Sequence, residues 1–195
     1  MEKTIEAHIE SIIEKTFEVI KEVYKTNKEE KTNSIPLNSE MSRILFPITR
    51  SNKLRVSEQE LRFIFVEQFN IYCKENNCDL FYSVETPTKR AYKGFAAGEP
   101  VCCNERGCRS GCIDLVVFDS ERNRVCLVEF KANNPRKAEY EKDFLKLNNE
   151  GVELGYFLQI IENKKQVEEL KERIEKKGNA FYCCLCLGNN EIIKR

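Results

Sequence analysis

Two short apolar runs joined by a polar turn constrain the fold of this chain more than any other feature. Residues 114–118 read DLVVF and residues 125–130 read VCLVEF, with polar residues between them. Apolar runs of this length, bounded by turn residues, are typical of the buried strands of a β-hairpin. The sequence therefore predicts a central antiparallel strand pair around which the rest of the chain is organised.

Three charged residues interrupt this hairpin, and the pairing of the strands decides where they lie. If Asp119 and Arg124 pair across a four-residue loop, Asp114 lies opposite Glu129 on one face of the sheet. Lys131, two residues further along, shares that face. A slip of one residue would separate the two carboxylates, whereas a slip of two would keep them together. The juxtaposition thus needs only the parity of the register.

Charges on a buried strand pair favour a functional site. Two carboxylates and an ammonium group are costly to desolvate unless a metal ion or a phosphate compensates them. The alternative is an ordinary Asp–Lys salt bridge at the end of a strand, and the hairpin pattern alone leaves it open.

The same residues resemble a known motif. Asp114, followed after fourteen residues by Glu129, Phe130 and Lys131 at the end of an apolar strand, is similar to the motif of the PD-(D/E)XK nuclease superfamily. Ile113 stands where the motif has Pro. A helix is predicted before the hairpin, and the order helix, strand, helix, strand after it. The resemblance implies an α/β fold with a restriction-endonuclease-like mixed β-sheet flanked by helices, preceded here by an N-terminal helical extension.

The resemblance also implies a chemistry, namely metal-dependent hydrolysis of phosphodiester bonds by a nuclease of the restriction, defence or repair type. Asp114, Glu129 and the Phe130 carbonyl would bind Mg²⁺, with Mn²⁺ as a substitute, because both ions prefer oxygen ligands. Lys131 would position the attacking water. We expect DNA as the substrate, and the sequence leaves RNA open. The alternative function is a catalytically inactive module of the same fold that binds nucleic acid or protein.

A second predicted helix, over residues 57–76, supplies a fourth candidate catalytic residue. Ser57 and Glu60 form a capping-box pattern, and apolar residues follow at helical spacing. Glu58 lies near the apolar side of this helix, and the resemblance implies an acidic residue there. Favourable interaction with the helix dipole is the other explanation for Glu58.

Residues 80–86 predict the first strand, followed by a long insertion over residues 87–111. Glu85, near the end of that strand, is an additional candidate for the site. The insertion combines basic and aromatic residues, which suits contact with a nucleic-acid backbone and stacking on bases. The candidate basic residues are Lys89, Arg90, Lys93, Arg106 and Arg109.

Cysteine is frequent, with 10 residues in a chain whose N-terminus has no uninterrupted hydrophobic run. We therefore expect a cytoplasmic protein with no membrane partner, in which cysteines are free thiols or metal ligands. Four cysteines lie close together in the insertion, but no CxxC pair is present, so reduced thiols are favoured over a zinc or iron–sulfur site. These four are Cys102, Cys103, Cys108 and Cys112.

The chain divides into an N-terminal helical segment with a linker, residues 1–55, and a nuclease-like domain, residues 56–195. A helix over residues 3–26 carries an apolar stripe that either packs on this domain or forms a homodimer. With 32 basic and 32 acidic residues the chain is formally neutral, so contact with nucleic acid requires a local basic patch.

The C-terminal part alternates helix and strand. Helices are predicted over residues 135–150 and 164–177, and strands over residues 155–161 and 180–187. Lys137 and Lys146, on the first of these helices, are expected to reach toward phosphate.

Overall fold

The predicted hairpin lies at the centre of a mixed β-sheet. A computed structural model describes residues 3–33, 42–93, 101–103, 108–133, 136–163 and 179–195, with the backbone alone at 30–33, 93, 101–103, 137 and 138. The strands within these ranges are β1 (Phe81–Lys93), β2 (Val101–Cys103), β3 (Arg109–Phe118), β4 (Arg124–Ala132), β5 (Leu154–Ile161), β6 (Phe181–Cys186) and β7 (Glu191–Lys194).

These seven described strands form one sheet in the order β2-β1-β3-β4-β5-β6-β7. The pairs β4–β5 and β5–β6 are parallel, and the other pairs are antiparallel. β3 and β4 are buried on both faces at their centres, as the two apolar runs predict.

Helices cover both faces of the sheet. The described helices are α1 (Ile5–Asn33), α2 (Glu58–Asn76) and α3 (Lys137–Asn149). α1 and α2 share one hydrophobic core with alternate residues of the strands, among them Leu115, Val128 and Phe130. α3 packs on the opposite face, where Phe144 stacks on Phe157 of β5 with ring centroids 4.8 Å apart. The predicted α/β class is confirmed.

The apolar stripe of α1 packs inside this chain. Ile9, Ile12, Phe17 and Ile20 are fully buried in the core that α1 shares with α2 and the sheet. Of the two alternatives for this stripe, packing within the chain is the one observed, and dimerisation through the stripe is not supported. None of the helices in the described ranges is long and apolar enough to cross a membrane.

The start of α2 follows the predicted capping box. The Glu60 carboxylate accepts a hydrogen bond from the Ser57 amide at 3.0 Å and another from the Ser57 hydroxyl. α3 and β5 also agree with prediction to within two residues. The predicted helix over residues 164–177 lies outside the described residues.

The predicted insertion over residues 87–111 is partly wrong. β1 continues through Pro87 to Lys93, pairs with β3 over most of its length, and pairs with β2 only at Ala91, Tyr92 and Lys93. Pro87 is tolerated because β2 does not pair with this part of β1, so the missing amide proton interrupts no second ladder. The short strand β7 was not predicted.

Candidate active site

The register of the hairpin brings the two motif carboxylates together. Leu115 pairs with Val128, and one step outward along each strand Asp114 stands opposite Glu129. The parity is as predicted, although the end of the hairpin differs: Arg124 pairs with Phe118 instead of Asp119, after a register shift. Asp119 instead closes the turn, since its amide donates to the Asn123 carbonyl at 3.1 Å.

Asp114 is tied to the backbone of the motif on the next strand. Its Oδ2 accepts a hydrogen bond from the Phe130 amide at 2.8 Å. This contact lies beside Glu129 and Lys131. The charge of Asp114 acts to raise the pKa of both residues. The hairpin thereby gathers the predicted motif into one place.

The helix after the hairpin contributes two further charged residues. Asp143 and Lys146 are three residues apart on α3 and almost fully buried. Lys146 Nζ forms an ion pair with Glu129 Oε1 and lies 2.9 Å from Asp143 Oδ1. Its ammonium group also donates to the Cys112 carbonyl at 2.8 Å. The expectation that Lys146 reaches toward phosphate is wrong, because its donors are directed into the protein.

Lys131 links the hairpin to both helices that flank the site. Its Nζ lies 2.9 Å from Asp143 Oδ2 and 3.6 Å from Glu58 Oε2. It also donates to the Phe130 carbonyl at 3.1 Å. Glu58, the candidate from the first turn of α2, therefore lies at the site, at its more exposed side.

We use the name charged cluster for these side chains. Four are carboxylates and two are ammonium groups, and they come from α2, β3, β4 and α3. The members are Glu58, Asp114, Glu129, Lys131, Asp143 and Lys146.

No protein-family model, curated protein or solved structure matches this chain. The resemblance to the PD-(D/E)XK motif therefore rests on the hairpin residues alone. Asp143 was missed in the sequence. The sequence feature that could have identified it is an acidic residue directly before Phe144, inside the apolar stripe of α3.

Burial and mutual repulsion control the ionisation of the cluster. Burial raises the pKa of Glu129 well above its ordinary value, and Asp143 raises it further. Burial acts to lower the pKa of Lys146, but the attraction of Glu129 and Asp143 outweighs it, and the net shift is upward. Lys131 follows the same pattern, since Asp143 and Asp114 outweigh the effect of burial on its pKa. Both lysines therefore remain ammonium ions at neutral pH.

A cavity opens beside Lys131. Its volume is about 450 Å³, and it is lined by the first turn of α2, the end of β4 and the start of α3. Glu58, Lys131 and Asp143 border it together with Lys142 and Glu139. The exposed end of the charged cluster thus faces a space large enough for part of a polar ligand.

Glu85, the additional candidate, lies near Asp114 in the sheet but not in the charged cluster. The pairs on either side of it in β1 and β3, Val84 with Leu115 and Thr86 with Ile113, place it across from Asp114. Its backbone φ is 49°, in the left-handed region, and its carboxylate pairs with Arg62 of α2. Strained backbone of this kind is uncommon in a strand and is enriched at functional sites.

The predicted basic patch is described only in part. Lys89, Arg90 and Arg109 are exposed on β1 and β3. The side chain of Lys93 and the whole of Arg106 lie outside the described residues. The buried Glu150 carboxylate fixes this part of β1, because it accepts hydrogen bonds from the Lys89 and Arg90 amides at 2.5 and 3.2 Å.

The cysteine interpretation needs a correction at one residue. Cys108 is disulfide-bonded, whereas Cys112 has a free, exposed thiol. A sulfur in a disulfide is not a thiolate ligand, so Cys108 does not join a four-cysteine metal site, and it is not the reduced thiol expected. The side chains of Cys102 and Cys103 lie outside the described residues.

Proposed function

We propose that this chain is a divalent-metal-dependent nuclease of the PD-(D/E)XK type, with a restriction-endonuclease-like fold and DNA as its substrate. One observation carries the proposal. Asp114 stands opposite Glu129 on adjacent strands, and Lys131 shares that environment beside an open cavity. The order of elements, with α2 before the hairpin and α3 leading into the parallel strand β5, supports the same fold.

The donor set of the charged cluster fits a divalent cation. With every group ionised, four carboxylates and two ammonium groups leave a net charge of −2, which one Mg²⁺ or Mn²⁺ would balance. Asp114, Glu129 and the Phe130 carbonyl would hold the ion through oxygen atoms, the ligands that both metals prefer.

A bound metal ion would supply Lewis-acid polarisation of the phosphate. The remaining work falls to residues of this chain. Lys131, beside the cavity, would orient the attacking water and neutralise charge that develops on the phosphate. Glu58 and Asp143 hold the Lys131 ammonium group from two sides, so its position is set before substrate binds. The exposed Lys89, Arg90 and Arg109 would contact the nucleic-acid backbone.

The test is cleavage of labelled DNA and RNA by the full chain with Mg²⁺, Mn²⁺ or EDTA. We expect cleavage of DNA that requires metal and is abolished by Asp114→Asn, because this substitution removes a metal ligand and leaves the shape of the side chain. Asp79→Asn is the matched control, since Asp79 is exposed in the loop before β1. Full activity of Asp114→Asn, or equal loss in both variants, would refute the proposal.

A specific contact favours the alternative of a nuclease fold that binds without cutting. Lys146 already neutralises Glu129, so this carboxylate has a partner in the protein alone. In that case the chain binds nucleic acid equally well in Mg²⁺ and in EDTA and cleaves neither DNA nor RNA. The cleavage experiment distinguishes the two functions directly.

A further inference from the structure

Lys146 is the most deeply buried cation of the charged cluster, and its ammonium group contacts three oxygen acceptors of the protein. An ammonium group has three donors. Here they face three acceptors: a carboxylate oxygen of Glu129, one of Asp143 and the Cys112 carbonyl. The side chain is only 2% exposed. These donors are directed at protein acceptors, so the group is placed to neutralise charge within the site.

The acceptors of Lys146 include a residue that would hold the metal. Glu129 is paired through Oε1, and Asp143 also contacts the same ammonium group. The Lys146 ammonium group contacts an oxygen of each carboxylate, so it occupies space in which those oxygens would otherwise meet a metal cation.

We propose that Lys146 is a resident counter-ion that competes with divalent metal for Glu129, so that the metal-free site stays neutralised and metal binds only by displacing the ammonium group. This inference rests on the proposed metal site. Lys146 is a positioning residue in this scheme, because it acts through Glu129. After displacement it retains Asp143 and the Cys112 carbonyl as partners, so it stays beside the site.

The test measures metal affinity in the absence of nucleic acid. Mn²⁺ binding to the full chain is followed by calorimetry and by electron paramagnetic resonance, for the unaltered protein, Lys146→Met and Lys146→Arg. We expect Lys146→Met to lower the Mn²⁺ dissociation constant by about tenfold or more, because it removes a positive charge next to a divalent ion. Lys146→Arg keeps the charge and should bind Mn²⁺ no more tightly than the unaltered protein.

A merely structural role predicts no gain in Mn²⁺ affinity. Loss of a buried salt bridge lowers stability, and a role confined to stability would leave Mn²⁺ affinity unchanged or weaker in Lys146→Met. Either result would overturn the proposal. Lys15→Met is the control, since Lys15 pairs with Glu18 three residues away on the exposed face of α1, at 2.8 Å. It should alter neither affinity nor stability.

Three further outcomes are informative. If Lys146→Met is unfolded without metal, we expect Mn²⁺ to restore its folded circular dichroism spectrum, and failure to refold at high Mn²⁺ counts against the inference. If the unaltered protein binds no Mn²⁺, or if Asp114→Asn binds Mn²⁺ equally well, the proposed metal site itself fails. Mn²⁺ binding that requires Asp114, combined with equal or weaker binding by Lys146→Met, overturns the counter-ion role alone.

Discussion

Asp143 is the residue whose loss should disturb the charged cluster most. Its two carboxylate oxygens each contact a different ammonium group, that of Lys131 and that of Lys146, both at 2.9 Å. Asp143→Asn preserves the shape of the side chain and removes its charge. Lys146 then keeps Glu129 as its charged partner, and Lys131 keeps Glu58, which is half-exposed.

The magnitude follows from burial. Removing one partner of a buried ion pair destabilises a protein by about 3–5 kcal/mol. Asp143 also repels Glu129, whose pKa is raised first by burial and then by Asp143, so the substitution relieves part of this strain. We therefore expect a loss near the lower limit, about 3 kcal/mol. For a chain of this length, the melting temperature should fall by roughly 6–12 °C.

The assay is urea unfolding of the full chain in EDTA, followed by circular dichroism. Glu18→Gln is the matched control, because Glu18 pairs with Lys15 at nearly the same distance, 2.8 Å, but both side chains are more than half exposed. Its free energy of unfolding should not change measurably. Equal losses in the two variants, or a more stable Asp143→Asn protein, would refute the argument that burial determines the strength of these contacts.

Three further predictions concern activity, stability and binding. Glu58→Gln should reduce metal-dependent cleavage by about tenfold, equivalent to ~1.4 kcal/mol on the barrier, because Glu58 holds Lys131 at 3.6 Å. Glu60→Ala should instead lower stability by about 0.5–2 kcal/mol through loss of the capping box. The reverse ranking, in single-turnover cleavage and urea unfolding, would contradict this assignment. Replacing both Lys89 and Arg90 by Ala should weaken DNA binding, measured by fluorescence anisotropy. The slope of the logarithm of the binding constant against the logarithm of the salt concentration should become shallower by about 0.9 per lost phosphate contact. An unchanged slope would exclude both residues from the interface.

The hairpin and its site could be predicted because strand geometry has a period of two. Only the parity of the register was needed to bring Asp114 opposite Glu129, and it survived an error at the turn, where Arg124 pairs with Phe118. The capping box of α2 was equally local, and it fixed the phase that turns Glu58 toward Lys131.

The contribution of α3 could not be predicted as readily. Asp143 lies about 60° from Tyr140 and about 40° from Leu147 around the helix, inside the apolar stripe, where a charged residue is costly unless it has a partner. Its burial depends on Lys131, which comes from a different element, and a helical pattern carries no information about that partner. The continuation of β1 past Pro87 was missed for a related reason, because strand pairing with β3 outweighs a local turn signal.

Glu150 has a consequence for local opening of the fold. This buried carboxylate at the end of α3 accepts hydrogen bonds from the backbone amides of Lys89 and Arg90, although the side chains of both residues are exposed. Amide hydrogen exchange at these two residues should therefore be slow, and it should report on the integrity of the helix that carries Asp143 and Lys146. Two backbone amides on an exposed stretch of strand would thus serve as probes of whether the charged cluster is assembled.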